Sequence, residues 1–276
     1  MEAPYLITGA AGMLGRRALA DAPPGVRAVG VERADGDLAD RRTVDRLFRT
    51  LGPLRGVLHA AGHTDVDGAE AEPDRARRDN VETTRHLAAA CAAEGIALLL
   101  VSSDYVFDGR STRPYREQDP PGPLNTYGTT KLEAERVALA LHPKGTLIVR
   151  TAWLYGPGFP DRILALAEQR ETLDVVDDQR GSPTSTAELV PALWDLLASG
   201  ASGLYHAACE GVASWFDVAA ACLGEGRVRR CTTDAFPRPA RRPAMSALDS
   251  GRLAALRGRP LRHWREALLR YLTERT

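Results

Sequence analysis

Only four of the 276 residues are cysteine, and Cys91, Cys209, Cys222 and Cys231 form no C-x-x-C pair. That spacing argues against a zinc site and against a disulfide-stapled secreted framework, and it reads as reduced thiols of a cytoplasmic protein. Net charge is also lacking, since Lys and Arg total 36 and Asp and Glu total 36. Without a basic excess there is no electrostatic argument for nucleic acid or an anionic membrane as the main partner, and a small molecule becomes the default. No apolar run approaches the roughly 18 residues that a transmembrane helix needs. The N-terminal stretch lacks the basic flank and long apolar core of a signal peptide. Internal repeats and low-complexity segments are absent too.

The length suits one large domain carrying a smaller lobe. Short apolar runs at Tyr5–Thr8, Val26–Val31, Gly56–Ala60, Ile96–Ser102 and Thr146–Arg150 alternate with amphipathic stretches at Leu14–Ala20, Arg42–Leu51, Glu70–Ala93 and Thr126–Leu141. This alternation predicts βαβ units in an α/β fold with a doubly wound parallel sheet of the Rossmann type. Beyond Trp153 the rhythm breaks into Gly and Pro segments, with helices expected near Pro160–Arg170, Thr186–Ser199, Trp215–Leu223 and His263–Leu272. The expected division is a dinucleotide-binding domain over 1–155, rejoined by some later segments, and a smaller C-terminal substrate-binding lobe drawn mainly from 156–276. Pro237–Pro243, with Arg238, Arg241 and Arg242, reads as a rigid basic loop.

Three glycines follow the first apolar run in Gly9-Ala-Ala-Gly12-Met13-Leu14-Gly15. A strand that must turn sharply into a helix while a pyrophosphate approaches its backbone needs residues without Cβ, and the helix N-terminus then faces the phosphates. The spacing is G-x-x-G-x-x-G instead of G-x-G-x-x-G, as in the short-chain dehydrogenases; a turn that only packs helix on strand is the plainer alternative. At the end of the second strand, Glu32 favours the ribose 2′-hydroxyl of NAD, whereas Gly30, Arg33 and Arg16 favour the 2′-phosphate of NADP. The balance points to NADPH, with NADH allowed. Asp37 and Leu38 are placed to hold the adenine edge, unless Asp37 only supplies negative charge ahead of Arg41 and Arg42.

Tyr127-Gly-Thr-Thr-Lys131 opens a strongly helical stretch, so phenol and amine project from one helix face. A carbonyl reduced by hydride needs a proton on its oxygen, and a phenol serves better when a cation stabilises its anion. Ser103 ends the fourth apolar run, where the carboxyl ends of a doubly wound sheet line the ligand crevice, and its hydroxyl can bind a substrate oxygen. His59 and His63 straddle a strand end without the i, i+4 spacing of a metal pair, so no metal site is expected.

These segments, together with Ala60–Glu70, Ser102–Gly109, Pro123–Gly128, Arg150–Gly156, Asp178–Thr184, Gly203–His206 and Arg242–Ser246, resemble the dTDP-4-dehydrorhamnose reductase family of extended short-chain dehydrogenases over nearly the whole chain. The resemblance implies NAD(P)H-dependent reduction of a nucleotide-linked 4-keto sugar, dTDP-4-dehydro-L-rhamnose, to dTDP-L-rhamnose. It implies Ser103, Tyr127 and Lys131 as the catalytic set, with Tyr127 and Lys131 also at the cofactor, where Lys131 contacts the nicotinamide ribose, and Ala60, Ala61 and Gly62 beside it. It further implies Thr64, Val66, Ser103, Asp104, Tyr105 and Trp153 around the sugar, and Asn125, Gln179 and Arg242 at the nucleotide diphosphate. A homodimer is compatible with it. Three positions depart from the family's usual residues: His59 and Met245 stand where Asn is common, and Ser103 where Thr is common. The competing readings are a reductase of another 4-keto-6-deoxysugar nucleotide, a dehydratase or epimerase, and a non-catalytic dinucleotide-binding regulatory subunit. A dehydratase would be expected to carry Asp-Glu after the hydroxyl residue, and this chain has Asp104-Tyr105.

Overall fold

Strands that are covered on both faces can be apolar throughout, and the uninterrupted runs of the first 150 residues use that freedom. A computed structural model describes residues 2–274. Its central sheet contains β1 (Tyr5–Thr8), β2 (Ala28–Val31), β3 (Gly56–His59), β4 (Ala97–Ser103), β5 (Thr146–Thr151) and β6 (Gly203–His206), all parallel, in the order β6-β5-β4-β3-β1-β2. Side chains alternate between the faces of the sheet. Tyr5 and Ile7 of β1 pack with Leu189, Leu193 and Trp194 of the Thr186–Ser199 helix. Leu6 packs on the other side with Val44, Leu87 and Ala134, which belong to the Arg41–Leu51, Thr83–Glu94 and Thr126–Leu141 helices.

The chain goes outward from β1 to β2 and then returns across β1 to β3. The strand order therefore reverses between β1 and β3, and a crevice opens beyond their carboxyl ends, where doubly wound sheets take their ligands. The glycine turn follows β1 at this point and Ala60-Ala61-Gly62 follows β3.

Two features differ from the sequence reading. Residues 70–93 do not form one helix: Val66–Ala71 ends, Glu72 takes φ −127° and ψ 62°, and Pro73 starts a new helix that loosens into a π turn at Arg78–Glu82 before Thr83–Glu94. Proline disfavours the helical conformation in the residue before it, which fixes the break at Glu72. The sheet also gains its edge strand β6 from beyond residue 200, backed by the Gly251–Arg257 helix, whose Leu253 is fully buried. The remaining segments build a smaller core from Ile163, Leu173, Val175, Phe216 and Val228, across the parallel pair Leu173–Val176 and Val228–Cys231. Among the described residues no helix is long and apolar enough to cross a membrane.

One ion pair is buried in the main core. Arg150 of β5 and Glu135 of the Thr126–Leu141 helix are each 3% exposed and meet through two hydrogen bonds, at 2.9 and 2.6 Å. Ser102 donates to the same carboxylate at 2.5 Å. Removing one partner of such a pair leaves an uncompensated buried charge, which costs about 3–5 kcal/mol, whereas removing both costs far less. Arg150→Met should accordingly lower stability by about that much in urea unfolding, and Arg150→Met with Glu135→Leu should recover most of the loss. Equal stability of the single and double variants would show that the unpaired charge is not the source of the loss.

Candidate active site

The turn after β1 is shaped for a ligand that lies against backbone. Gly9 has φ +71°, and a Cβ there would lie 2.8 Å from the Ala61 amide nitrogen; a Cβ on Gly15 would lie 2.2 Å from the Gly9 carbonyl oxygen. The Met13–Ala20 helix starts from Gly12 with no side-chain cap, so its first amides, at Met13 and Leu14, are open to an anion. These features fit a dinucleotide pyrophosphate. Beyond the carboxyl end of β2, on the same edge of the sheet, Arg33 is exposed and lies 3.6 Å from Asp79. Asp37 pairs with Arg78, which holds its carboxyl below the usual range, and the Leu38 carbonyl lies 3.3 Å from His86 Nδ1.

The Thr126–Leu141 helix is fixed at its start by its own cap and by one side chain from a distant segment. Asn125 caps it by accepting from the Gly128 amide at 2.8 Å, and Glu70 accepts from the Thr126 amide at 2.7 Å and from its hydroxyl at 3.0 Å. Gly128 lets the helix lie on the turn after β4, since a Cβ there would lie 2.1 Å from the Tyr105 carbonyl oxygen. Tyr127 and Lys131 are thereby held beside Ser103. The Tyr127 hydroxyl faces that of Ser103, and its ring meets that of Tyr105 edge-on at 5.9 Å. Lys131 is 8% exposed, and its Nζ donates to the Val101 carbonyl at 2.7 Å.

Burial dominates the electrostatics. It pushes the Tyr127 phenol up to about 12 and the Lys131 amine down to about 8, where nearby Glu135 opposes the fall. The phenol is thus protonated and the amine largely charged at neutral pH, the forms that reduction of a carbonyl requires.

Beside this set opens a cleft of about 1250 Å³, above the usual size for a small-molecule pocket and suited to an extended ligand. Tyr105, Gln179, Arg242, Phe159 and Trp215 are among its lining residues. Trp153 stacks on Trp215 at 3.7 Å with planes 4° apart, and it adopts φ +44°, the only positive φ among the described non-glycine residues. A bulky residue in this region carries strain, held here by the stack and by Gly181, where a Cβ would strike the Trp153 ring at 2.3 Å.

Asn125, Gln179 and Arg242 are engaged within the chain. Asn125 Nδ2 donates to the Arg241 carbonyl at 2.8 Å. Gln179 donates to Thr233 Oγ1 at 3.0 Å and accepts from Trp215 Nε1 at 3.1 Å. Arg242 forms a two-pronged pair with Asp67, whose carboxyl it holds below the usual range. Thr64 is exposed and Val66 half-buried, and neither is among the cleft's lining residues. Met245 packs against the cluster of Phe107, Tyr115 and Leu248, where Trp153 also packs.

The sequence reading passed over a buried chain of hydrogen bonds behind the site. Ala61 N–H donates to Thr8 Oγ1 at 3.2 Å, Thr8 Oγ1 meets His59 Nδ1 at 2.7 Å, His59 Nε2 meets Thr84 Oγ1 at 3.2 Å, and Thr84 donates to the Asn80 carbonyl at 2.7 Å. Asn80 Nδ2 donates in turn to Thr130 of the Tyr127 helix at 2.9 Å, and its Oδ1 accepts from the His63 amide at 2.9 Å. Only the unusual His59 signalled this region from sequence.

A parallel sheet in this order, with a glycine turn at its switch point and a Tyr-x-x-x-Lys helix alongside, defines a dehydrogenase fold of the short-chain type. Within that class the chain belongs to the family described as RmlD substrate binding domain, whose model matches residues 3–276. It is similar to a dTDP-4-dehydrorhamnose reductase of Streptomyces griseus, 43% identical over 279 residues, which spans 96% of this chain and 91% of that protein. A dTDP-4-keto-6-deoxy-D-glucose reductase of Streptomyces niveus is 40% identical over 279 residues, spanning 96% of this chain and 94% of that protein. The crystal structure of a dTDP-4-dehydrorhamnose reductase from Bacillus anthracis in complex with NADP is 32% identical, with TM-score 0.93 over 99% of this chain and 100% of that one.

His59 and the likewise buried His206 are both held near pKa 3, primarily by burial; proximity to Lys131 adds to the effect at His59 and Arg150 at His206. Because their folded values lie below the unfolded 6.5, the unfolded chain binds more protons between about pH 3 and 6.5. Stability is therefore full above 6.5 and falls as pH drops toward 3, by up to ~1.4 kcal/mol per pH unit for each such histidine. Urea unfolding between pH 7 and 5 should show this slope, and His59→Asn should reduce it by about one proton. An unchanged slope in that variant would show that His59 titrates normally in the folded protein.

Proposed function

We propose that this protein reduces the 4-keto group of dTDP-4-dehydro-L-rhamnose to give dTDP-L-rhamnose, with NADPH as reductant and Ser103, Tyr127 and Lys131 as its catalytic set. The observation that carries this reading is that Tyr127 and Lys131 stand with Ser103 next to a cleft, lined in part by Tyr105, that is large enough for a nucleotide sugar. The two dTDP-4-dehydrorhamnose reductases named above, each similar along almost the whole chain, support it.

NADPH bound along the Gly9–Gly15 turn supplies the hydride. The open amides of Met13 and Leu14 hold its pyrophosphate, Ala60, Ala61 and Gly62 flank it, and Arg33, Asp37 and Leu38 surround its adenosine end. Tyr127 gives its hydroxyl proton to the oxygen at sugar C4, Ser103 orients that oxygen, and Lys131 stabilises the phenolate left behind. Tyr105 and Trp153 give the 6-deoxy sugar an apolar wall, and Asp104 stands behind Ser103. Asn125, Gln179 and Arg242 hold the segments that close over the nucleotide diphosphate, and the lobe built mainly from 156–276 covers the sugar nucleotide. The balanced charge supports a cytoplasmic enzyme with no nucleic-acid or membrane partner, active as monomer or homodimer.

A second reading, reduction of another dTDP-linked 4-keto-6-deoxysugar, is favoured by Met245, an apolar side chain at a position where the family commonly has Asn, and by the relative from Streptomyces niveus. Stereospecifically deuterated NADPH separates the readings. Label should reach sugar C4 and the product should be dTDP-L-rhamnose. Label in a different 6-deoxyhexose selects the second reading, and no label at C4 rejects both.

Tyr127→Phe should lower turnover at least 10³-fold, in the upper part of the roughly 10²–10⁴-fold range for a lost acid, and leave NADPH affinity within a few-fold. Lys131→Ala should reduce turnover and cofactor affinity together, because one amine serves both. Near-normal turnover in the first, or unchanged rate and affinity in the second, would remove that residue from the mechanism. The kcat/KM ratio should favour NADPH modestly, since Arg33 can turn from Asp79 to a 2′-phosphate. A tenfold preference for NADH would place Glu32 on the ribose instead.

A further inference from the structure

Ser103 has one hydroxyl hydrogen and several partners around its oxygen. The Tyr105 amide donates to Oγ at 3.2 Å, Asp104 Oδ1 lies 3.0 Å from it, and the Tyr127 hydroxyl faces it as well. In the proposed reaction the sugar keto oxygen also needs a donor. Were Asp104 ionised, its Oδ1 would take the Ser103 hydrogen, because a carboxylate can only accept. Ser103 would then have nothing to offer the substrate.

The surroundings of Asp104 favour the neutral acid. The residue is 3% exposed. Its Oδ2 has no hydrogen bond of normal geometry among the described residues, and neither has the hydroxyl of Ser246, which stands against the carboxyl. Ser246 carries its own hydrogen and can serve Oδ2 in either state of the acid, so what favours the neutral form is burial with no cation paired to the carboxyl among the described residues. The other groups facing Asp104 are the phenols of Tyr105, on its own turn, and Tyr127, from the helix across the site. Arg242, which faces Tyr105, is committed to Asp67. Burial raises the Asp104 carboxyl to about 7, against the lowering effect of Ser246 and Ser103.

We propose that Asp104 acts as a neutral carboxylic acid that donates from Oδ1 to Ser103 Oγ and thereby turns the single Ser103 hydroxyl hydrogen toward the sugar keto oxygen. Asp104 is then a positioning residue for Ser103, and the inference rests on the reductase reading. Ionisation reverses the Asp104–Ser103 hydrogen bond and withdraws the donor, so activity declines as pH rises through the Asp104 transition. Lys131, depressed to about 8, contributes a separate decline at higher pH.

The test is the pH profile of kcat/KM for the 4-keto sugar nucleotide at saturating NADPH. Wild type should lose roughly tenfold between pH 6 and 8, the drop that a single group titrating near 7 produces. Asp104→Asn, whose amide donates at every pH, should lose less than about threefold over the same interval and keep the later decline from Lys131. Ser103→Ala should be slow throughout and should also lack the first step. Superimposable wild-type and Asp104→Asn profiles overturn the proposal, as does a folded, NADPH-binding Asp104→Asn with equally poor activity at both pH values. Infrared spectra provide a measure that needs no turnover: a carbonyl stretch from a protonated carboxyl should be present in wild type at pH 6, fade through pH 7, and be missing in Asp104→Asn. Absence of that band overturns the proposal while leaving the reductase reading intact. A wild-type protein that shows the band but reduces no 4-keto sugar nucleotide overturns the reductase reading, and with it the keto oxygen as recipient of the Ser103 hydrogen.

Discussion

The geometry of the site depends on how one face of the Thr126–Leu141 helix is held against the sheet. Three successive turns of that face are anchored. Gly128 lies on the Tyr105 carbonyl, Lys131 reaches the Val101 carbonyl, and Glu135 meets Arg150 and Ser102 in the core. Arg150 is held further by the ring of Phe107, 5.0 Å from its guanidinium. A buried ion pair adds little net stability once desolvation is counted, but it penalises every register in which its partners separate. Slipping the helix by one residue would turn its face by about 100° and carry Tyr127 away from Ser103. The pair is therefore better understood as fixing register than as adding strength.

Much of this was legible in the sequence because the signals are local. The strand at Tyr5–Thr8 and the helices at Thr126–Leu141 and Thr186–Ser199 have the bounds that their apolar patterns and caps indicate. The Tyr127 and Lys131 spacing is a property of five consecutive residues. The break at Glu72 was legible in principle from Pro73, but the amphipathic pattern continues on both sides of it and masks the interruption. Strand β6 lies in the half of the chain where the alternation of apolar runs and helices has broken, and its place is set by pairing with β5 some fifty residues earlier.

Long-range partners had no sequence signal of their own. Arg242 looks like a solvated or phosphate-binding arginine until the fold brings it to Asp67, 175 residues away. Asn125 and Gln179 likewise spend their amides on Arg241 and on Thr233 and Trp215. In each case the residue joins segments that border the cleft. Composition can indicate that a polar side chain will be engaged, but only the tertiary fold decides whether the partner is ligand or protein.

The hydrogen-bond chain through His59 shows how a departure from the family's usual residue can keep a connection by other means. Its ends are fixed, because the Ala61 amide can only donate and the Asn80 carbonyl can only accept. Thr84 uses its hydrogen on that carbonyl, so His59 Nε2 must be the protonated nitrogen and donate to Thr84. Nδ1 is then an acceptor, and Thr8 supplies the hydrogen to it. Burial keeps the ring neutral, and the connectivity then selects the tautomer that carries its hydrogen on Nε2. The result is one continuous path from the turn behind Gly9 to Asn80 and on to Thr130 in the Tyr127 helix. The turn after β1 and the Tyr127 helix are thus connected by a single network, and a side chain that lost its place in it would disturb both together.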